Sequence, residues 1–434
     1  MLLIYELSCI KCYYLHELSI LYGISMHKPC YIELFAGCGG LSLGLNEAGW
    51  QGLFAIEKSK DAFSTLQANL IDNNKTEYKW PSWLPKEAME VETLLTNYSD
   101  DLIKMKDKVD LLAGGPPCQG FSPAGRRNPD DPRNKLAQQY IEVVRLIQPN
   151  YLLLENVRGF DIPFKSKEDN TEIRYSEIVK ERLEAEGYKV FFDIVRSSDW
   201  GVPQLRPRFI LIAIKNKIDI TTHPFEKFKT LRNNFLKSKG LRTRSPITVK
   251  EAIGDLEVSG KKLIPNNETH LKDYTQIEYQ NTAKPNRYLR LVRKRCRGKS
   301  PTDIRLPKHN ESTRLKFSQI LNDCPKGELV SKKYKEKLGT KKQSIRPLHP
   351  DKPSCTITTL PDDILHYSEP RILTVREMAR LQSFPDHFIF KGPYTTGGNM
   401  RKHSCPRYTQ VGNAVPPLLG EALGTLLANI HNQN

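Results

Sequence analysis

Several features that mark other classes of protein are missing from the sequence. No apolar stretch in its 434 residues approaches the roughly 18 residues of a membrane span. Residues 1–26 make a poor signal peptide, because Glu6, Lys11 and Glu17 interrupt their apolar residues. The nine cysteines are an odd number spread along a long chain, which favours reduced thiols and a cytosolic setting over a disulfide framework. A membrane protein and a disulfide-stabilised secreted domain are therefore disfavoured.

Metal-binding and nucleotide-binding motifs are incomplete. Cys9 and Cys12 form a C-x-x-C pair without a second pair, so no zinc site is predicted. The glycine loop at Gly37 departs from G-x-G-x-x-G, because Ser42 occupies the third glycine position. Residues 298–300 lack the earlier glycine of a phosphate-binding loop. A nicotinamide oxidoreductase and a P-loop nucleotidase are thus disfavoured.

Basic residues are concentrated in one part of the chain. Residues 216–350 hold 32 Lys+Arg and 13 Asp+Glu, a net charge of +19, whereas the other 299 residues hold 34 and 36, a net charge of −2. A near-neutral body with one basic insert is typical of an enzyme that binds a polyanion. Aromatic residues within the insert and a dense basic cluster favour nucleic acid over a solvated surface: Tyr274, Tyr279, Tyr288 and Phe317, and residues 293–297.

Predicted strands and helices alternate from residue 27 to residue 215. Amphipathic segments, which predict helices, separate a series of apolar runs. The runs that predict strands are residues 29–35, 52–56, 109–113, 151–154, 190–195 and 209–214. Such alternation predicts an α/β fold with a doubly wound, mostly parallel sheet. Regularity is lost after residue 216 and returns in a short helix near Thr374 and an apolar helix at 418–430.

A lone thiol, Cys118, follows the predicted strand 109–113 within a turn rich in glycine and proline. Ligands of open α/β sheets bind just outside such strand ends. Pro116 and Pro117 fix φ and hold the thiol at that edge. Because Cys118 lacks the apolar neighbours of a structural cysteine, we interpret it as a nucleophile. The polar residues 119–134 are predicted to be a mobile loop covering the site.

A glycine-rich loop at residues 34–40 links the first predicted strand to the first helix. Glycines let a backbone approach a ligand, and a helix N-terminus favours negative charge. Glu57, 20 residues after Gly37, ends the second predicted strand, where such folds place a carboxylate for ribose hydroxyls. The incomplete fingerprint suits an adenosine ligand that lacks a pyrophosphate.

The cysteine turn, the glycine loop and the basic insert together resemble the DNA (cytosine-5)-methyltransferases of bacterial restriction-modification systems. The resemblance covers most of residues 31–420, with the motifs in the family's order. They are the cofactor loop 35–40, Glu57, Pro117-Cys118-Gln119, Glu155-Asn156-Val157, Gln204-x-Arg206-x-Arg208, the supporting helix Arg376-x-x-x-Arg380-x-Gln382-x-Phe384-Pro385, and the closing motif 410–417.

The resemblance implies a Rossmann-like methyltransferase fold, S-adenosyl-L-methionine as cofactor, duplex DNA as substrate and no metal. Glu90 is the best local match to the acid that receives the adenine amino group. The residues implied to bind the cofactor are Phe35, Ala36, Gly37, Cys38, Gly39, Gly40, Leu41, Glu57, Glu90, Pro116, Asn413 and Val415. The residues implied to contact DNA are Gln119, Ser122, Arg126, Arg127 and Arg133.

Four residues are implied to perform catalysis on a cytosine rotated out of the duplex. Cys118 adds to carbon 6 of the base, and Glu155 acts at ring nitrogen 3 and the exocyclic amine. Because Arg206 and Arg208 alternate on a predicted strand, we expect them to share one face, to hold Glu155 ionised and to contact the base oxygen and phosphate.

The resemblance also suggests a domain organisation and partners. It gives an extension at 1–26, a catalytic and cofactor-binding domain at 27–215, a smaller, irregular basic target-recognition domain at 216–373, and a supporting helix with a return to the catalytic domain at 374–434. We expect a monomer in the bacterial cytoplasm, associated with the nucleoid, with a cognate restriction endonuclease acting separately. A transfer-RNA cytosine methyltransferase and a catalytically silent DNA-binding protein are the alternatives.

Overall fold

A six-stranded sheet lies at the centre of the protein. The computed structural model describes residues 28–72, 78–117, 134–165, 172–268, 273–281, 284–296, 298–340, 342–395 and 404–434. The strands are β1 (Cys30–Leu34), β2 (Gln51–Ile56), β3 (Leu111–Gly114), β4 (Tyr151–Val157), β5 (Phe164–Lys165), β6 (Glu172–Ile173), β7 (Tyr188–Arg196), β8 (Pro207–Lys215), β9 (Leu263–Pro265), β10 (Thr275–Ile277), β11 (Arg346–Pro347) and β12 (Ile364–Leu365). The order in the central sheet is β2-β1-β3-β4-β8-β7.

Helices surround this sheet and continue into the insert. They are α1 (Gly40–Glu47), α2 (Lys60–Leu66), α3 (Val91–Asn97), α4 (Ser99–Lys104), α5 (Asn134–Ile147), α6 (Tyr175–Ala185), α7 (Pro224–Ser238), α8 (Val249–Ile253), α9 (Arg287–Val292), α10 (Glu311–Asp323), α11 (Lys332–Lys337), α12 (Val375–Leu381), α13 (Arg407–Asn413) and α14 (Pro417–His431). Among the helices of the described residues, none is long and apolar enough to cross a membrane. The predicted α/β fold is confirmed.

The strand directions bring the predicted motifs to one edge of the sheet. Strands β2, β1, β3 and β4 are parallel, so their carboxyl ends lie side by side. Strand β8 runs antiparallel to both β4 and β7, and Val157 at the end of β4 pairs with Arg208 near the start of β8. The residues after β1, β2 and β3, the end of β4 and the start of β8 therefore meet at one place.

Helices α1 and α14 pack closely through glycines. A Cβ atom built on Gly44 would lie 2.5 Å from the backbone nitrogen of Glu421, and one built on Gly424 would lie 2.8 Å from Cβ of Ala48. Trp50, which is fully buried beside them, donates from its indole nitrogen to the Gly424 carbonyl at 2.9 Å. The last helix thus completes the layer that covers β1.

The main hydrophobic core extends past the predicted domain boundary at residue 216. Phe225, Phe228 and Ile253 belong to the same buried cluster as the sheet, as does Tyr288 on α9. Two separate small clusters lie within the insert, and each contains a handful of residues. They are Leu256, Ile277 and Ile304, and Phe317, Ile320, Val330, Leu338, Ile345, Leu365 and Ile372. The predicted extension at 1–26 lies outside the described residues.

Candidate active site

The glycine loop turns sharply after β1. Phe35, Gly37 and Gly39 have φ angles of 58°, 56° and 90°, in the left-handed region that favours glycine. A Cβ atom on Gly39 would lie 2.6 Å from a methyl carbon of Leu66, so the space there is closed to a larger residue. The side chains of Ala36, Cys38 and Leu41, which were predicted to bind cofactor, point into the core. This part of the loop can therefore offer a ligand mainly its backbone.

Glu57 fixes the loop from the end of β2. Its carboxylate accepts hydrogen bonds from the backbone nitrogens of Gly37 at 2.9 Å and Ser59 at 2.7 Å. Burial raises the pKa of Glu57, while these two hydrogen bonds favour the ionised form. The structure thus places Glu57 directly beside the predicted cofactor loop.

Glu90 lies close to the same strand end. The backbone nitrogen of Met89 donates to the Glu57 carbonyl at 2.8 Å, and the next residue, Glu90, has an exposed side chain at the start of α3. An acid in this position is available to a ligand bound over the carboxyl ends of β1 and β2. Its adenine-contacting role stays a prediction.

The closing motif returns to the glycine loop, although more than 370 residues separate them in the chain. A Cβ atom on Gly40 would collide with the carbonyl oxygen of Val415. The Cys38 thiol points to the Gln410 carbonyl at 3.7 Å, and Asn413 is exposed at the end of α13. The structure therefore brings the two predicted parts of the cofactor pocket together.

The segment that leads to Cys118 packs against the second catalytic motif. A Cβ atom on Gly115 would lie 3.2 Å from Oε2 of Glu155, and Asn156 donates from its side chain to the Pro116 carbonyl at 3.0 Å. The Glu155 carboxylate therefore touches the chain three residues before the predicted nucleophile. Cys118 itself and the predicted DNA contacts Gln119, Ser122, Arg126, Arg127 and Arg133 lie outside the described residues.

Glu155 and Arg208 form a nearly buried ion pair between β4 and β8. Nε of Arg208 lies 2.8 Å from Oε1 of Glu155, and each side chain is only about one-tenth exposed. Burial lowers the pKa of Arg208, and the neighbouring Glu155 charge opposes that shift. The pair forms because the antiparallel register places the amino end of β8 beside the carboxyl end of β4.

Arg206 does not share this contact, contrary to the expectation that both arginines would hold Glu155. Strand β8 begins at Pro207, so Arg206 precedes the strand and its side chain takes another direction. Its guanidinium, in a residue only 2% exposed, donates to the backbone carbonyls of Ile357 at 3.2 Å, Gly412 at 3.0 Å and Ala414 at 3.1 Å. Arg206 thus fastens the closing motif to the catalytic sheet.

Gln204 makes a second such connection, which the sequence reasoning missed. Its amide donates to Gln382 at 2.9 Å and accepts from the backbone nitrogen of Ile357 at 2.8 Å. Gln382 in turn donates to the Val411 carbonyl at 2.8 Å. This chain of buried amides joins the third motif, the end of α12 and the closing motif. The signal was present, because Gln204 belongs to the quoted motif, but only the arginines had been given roles.

A buried acid below the glycine loop was also missed. Glu33 on β1 accepts a hydrogen bond from Ser42 on α1, and the Ser42 hydroxyl lies 2.6 Å from that of Tyr78. Burial raises the pKa of Glu33 to about 8. A glutamate within the apolar run of β1 was the available signal, since a buried carboxyl needs a partner.

The supporting helix α12 ties the insert to the body with two fully buried arginines. Arg380 pairs with Asp386 at 2.7 Å and with Asp255 at 2.5 Å. Arg376 donates to the Thr302 carbonyl at 2.9 Å, while its Nη2 lies 3.3 Å from Asp303. These contacts hold the insert against the body, which is the supporting role predicted for this helix.

The aromatic residues that favoured nucleic acid are engaged inside the protein. Tyr288 and Phe317 are buried, Tyr279 donates to Asp255 at 2.7 Å, and Tyr274 stacks on Arg305 at 4.0 Å. Arg293 of the basic cluster lies over the ring of Tyr279 at 4.6 Å. Packing accounts for these side chains, so they are no longer evidence for nucleic-acid binding.

Fold and site together define an α/β methyltransferase, with a glycine loop closed by a C-terminal motif and a paired acid beside the end of β3. A solved DNA modification methyltransferase encoded within an E. coli prophage has the same fold, with a TM-score of 0.62 and 23% identity over 93% of this chain and 99% of that one. The family model for C-5 cytosine-specific DNA methylase matches residues 30–429. The chain belongs to this family.

Curated relatives agree with this membership over nearly the whole chain. Type II methyltransferase M1.HphI of Haemophilus parahaemolyticus is 32% identical over 425 residues, covering 96% of this chain and 90% of that protein. Type II methyltransferase M.DdeI of Desulfomicrobium norvegicum is 31% identical over 405 residues, covering 90% of this chain and 86% of that protein.

Within the described residues, no cluster of His, Cys, Asp and Glu could hold a metal ion.

Proposed function

We propose that this DNA (cytosine-5)-methyltransferase modifies cytosine within a specific duplex sequence, using S-adenosyl-L-methionine and a transient covalent bond from Cys118. One observation carries the proposal. The Glu155 carboxylate is held by Arg208 at 2.8 Å and packs against Gly115, at the entrance to the segment that contains Cys118. A paired acid beside a nucleophile segment is the arrangement that activation of an electron-poor ring requires.

The residues at the carboxyl ends of β1 and β2 fit the cofactor. A Cβ atom on Gly37 would meet no heavy atom within 4 Å, so the loop faces open space there, beside the Glu57 carboxylate. Backbone groups of the loop would hold the cofactor, Glu57 would accept from its ribose hydroxyls, and the exposed Glu90 would accept from its adenine amine. When bound, the cofactor supplies an electrophilic methyl group on a sulfonium.

The chain's residues supply the remaining chemistry. The Cys118 thiolate forms a bond to carbon 6 of the extruded base, which moves electron density to carbon 5. Glu155 takes a proton from water, donates it to ring nitrogen 3 as the thiolate adds and takes it back when the thiolate leaves, and it also accepts from the exocyclic amine, with Arg208 fixing its position. After carbon 5 has been methylated, it loses its proton to water, the bond between carbon 6 and sulfur breaks, and the thiolate is released.

The insert supplies target recognition in this proposal. It has two small cores of its own besides the residues, such as Tyr288, that it contributes to the main core. Its excess of positive charge supplies salt-dependent affinity for phosphates. The type II names of the relatives support a restriction-modification role. A separate endonuclease, a monomeric enzyme and a location in the bacterial cytoplasm complete the proposal.

Labelled S-adenosylmethionine distinguishes this function from its alternatives. We expect the purified protein to label duplex DNA and to leave transfer RNA unlabelled. Label that enters RNA alone would favour the RNA methyltransferase. Duplex containing 5-fluorocytosine should trap a covalent complex, because fluorine cannot leave as a proton does. Cys118→Ser should abolish both transfer and trapping while duplex binding persists. Duplex binding without transfer by the unmodified chain would favour a silent DNA-binding protein.

A further inference from the structure

A second cavity lies away from the edge of the sheet that carries Glu155 and Glu57. Its volume is about 550 Å³, within the range of small-molecule sites. It is formed by α1, by the first turns of α14, by α9 with the residues after it, and by the end of α7. None of the residues predicted to bind the cofactor or to perform catalysis lines it, nor does any of the predicted DNA contacts between Gln119 and Arg133, whereas Lys294 and Arg295 of the basic cluster do.

The walls of this cavity carry excess positive charge. Five Lys and Arg side chains line it against two Glu, and both Glu are already paired, Glu421 with Lys239 and Glu47 with Arg295 at 2.6 Å. Within the part of the chain that the structure describes, Arg287, Arg290 and Lys294 form no ion pair, and all three are exposed. Three cations around one concavity are therefore left for an anion from outside.

The floor of the cavity is apolar and ends at a helix N-terminus. Leu43, Leu418 and Val292 are buried core residues that also face the cavity. Helix α14 is 15 residues long and has no acidic residue in its first turn, and its Pro417 and Leu418 line the wall. Pro417 has no N–H and the Leu418 N–H donates to Ser383 Oγ at 3.1 Å, so this helix N-terminus adds only its dipole to the charge of the three cations.

We propose that this cavity binds a small organic phosphate, with the phosphate on Arg287, Arg290 and Lys294 and the organic part on the apolar floor. Two of these cations are arginines, whose planar donors match phosphate oxygens in pairs. Because α1 begins at the cofactor loop and α14 begins at Pro417, the last residue of the closing motif, an occupied cavity changes the affinity for the cofactor. This last step, unlike the binding itself, rests on the proposed function.

Calorimetric titration of the full chain tests the site without relying on methylation. The probes are n-octyl phosphate and adenosine 5′-monophosphate, each compared with its uncharged partner, octanol or adenosine, and with inorganic phosphate. We expect at least one organic phosphate to bind at least tenfold more tightly than both its uncharged partner and inorganic phosphate. Equal, weak binding of all probes would show only a solvated basic surface and would overturn the proposal.

Paired charge reversals locate the binding. Arg287→Glu with Arg290→Glu should weaken binding of that phosphate at least tenfold, whereas Lys332→Glu with Lys333→Glu, on the exposed face of α11, should leave it unchanged. Equal losses in both double variants would contradict the site. A 16-base-pair duplex that displaces the phosphate would assign the cavity to nucleic acid and overturn the small-ligand assignment.

The proposed effect of the bound phosphate on cofactor affinity is measured in a separate experiment. Titration of S-adenosylmethionine in the presence of the bound phosphate should give a dissociation constant changed by at least threefold. An unchanged constant, with phosphate still bound, would overturn the coupling. Failure of the protein to methylate DNA would leave the phosphate titration readable, so the two proposals can fail separately.

Discussion

The catalytic body and the basic insert use the same kinds of residue for different purposes. In the body, buried polar groups such as Arg206 and Gln204 join chain segments that lie up to about 200 residues apart and converge on the site. In the insert, Arg293 stacks on Tyr279, which lies 14 residues away along the chain, and so joins neighbouring segments. The role of a charged or aromatic residue can therefore be assigned only when its contacts in the structure are known.

The largest effect should come from the acid beside the nucleophile segment. Glu155→Gln keeps the shape but removes the charge that Arg208 binds, so we expect turnover to fall about 10²–10⁴-fold. Single-turnover methylation of duplex DNA measures it. The matched control is Glu92→Gln, which breaks a half-exposed pair with Lys135 and should leave the rate unchanged. A rate near that of the unmodified enzyme would remove Glu155 from the proposed chemistry.

Arg206 tests whether the long-range connections of the body matter for the cofactor. Arg206→Met leaves three buried carbonyls without their donor, so we expect a loss of about 2–4 kcal/mol in unfolding free energy. Because Gly412 and Ala414 are released, the dissociation constant for S-adenosylmethionine should rise as well. Arg206→Lys should restore part of both. Denaturant unfolding and cofactor titration give the two values, and an unchanged cofactor affinity would contradict the positioning role.

Two glycines of the body with similar backbone angles can be compared to distinguish the cost of backbone strain from the cost of overpacking. Gly39 and Gly49 have φ angles of 90° and 96°, but only at Gly39 would a Cβ atom meet neighbours. Alanine should cost about 1–2 kcal/mol at either position for the left-handed backbone. At Gly39 overpacking should add about 1–3 kcal/mol. Equal losses in chemical denaturation would show that the loop accommodates the methyl group.

Two neighbouring cations of the insert, Arg293 and Lys294, should differ in how much each contributes to the stability of the fold. Arg293 stacks on Tyr279 at 4.6 Å and lies 3.5 Å from Asp386, whereas Lys294 is exposed. We expect Arg293→Ala to lower the unfolding free energy by about 1–2 kcal/mol and Lys294→Ala to change it by less than about 0.5 kcal/mol. Similar values for the two variants would contradict the structural role of Arg293.

Glu33 should give an effect that depends on pH, because its pKa of about 8 leaves the carboxyl mostly protonated, and so similar in shape to glutamine, in the folded protein at neutral pH. Burial raises this pKa above that of the unfolded chain, so the folded protein binds the extra proton. The stability contributed is fully present below the unfolded pKa near 4.5 and is lost as pH rises through about 8. Unfolding between pH 6 and pH 9 should show a decline that Glu33→Gln lacks, and parallel curves would contradict it.

Sequence predicted the body well because its strands are short apolar runs buried on both faces by helices. The strand at 209–214, for example, was expected and is β8, but periodicity carries no information on direction, and only the antiparallel register pairs Arg208 with Glu155. The role of Arg206 could not be predicted either, because its acceptors are backbone carbonyls of distant segments, which leave no residue signature.

The insert was less predictable for a different physical reason. Its two small cores contain few residues each, so hydrophobic spacing is weak and short elements such as β9 and β10 give little pattern. The predicted boundary at residue 216 also precedes helix α7, which packs into the main core through Phe228 and Phe235. The point at which the chain becomes strongly basic is therefore not the point at which the main hydrophobic core ends.

The glycine contacts between α1 and α14 have a consequence for biosynthesis. Helix α1 leaves the ribosome early, yet the surface that covers it, and the carbonyl that accepts from the indole of Trp50, belong to residues made more than 370 positions later. The apolar face of α1 therefore stays uncovered during translation until α14 has been made.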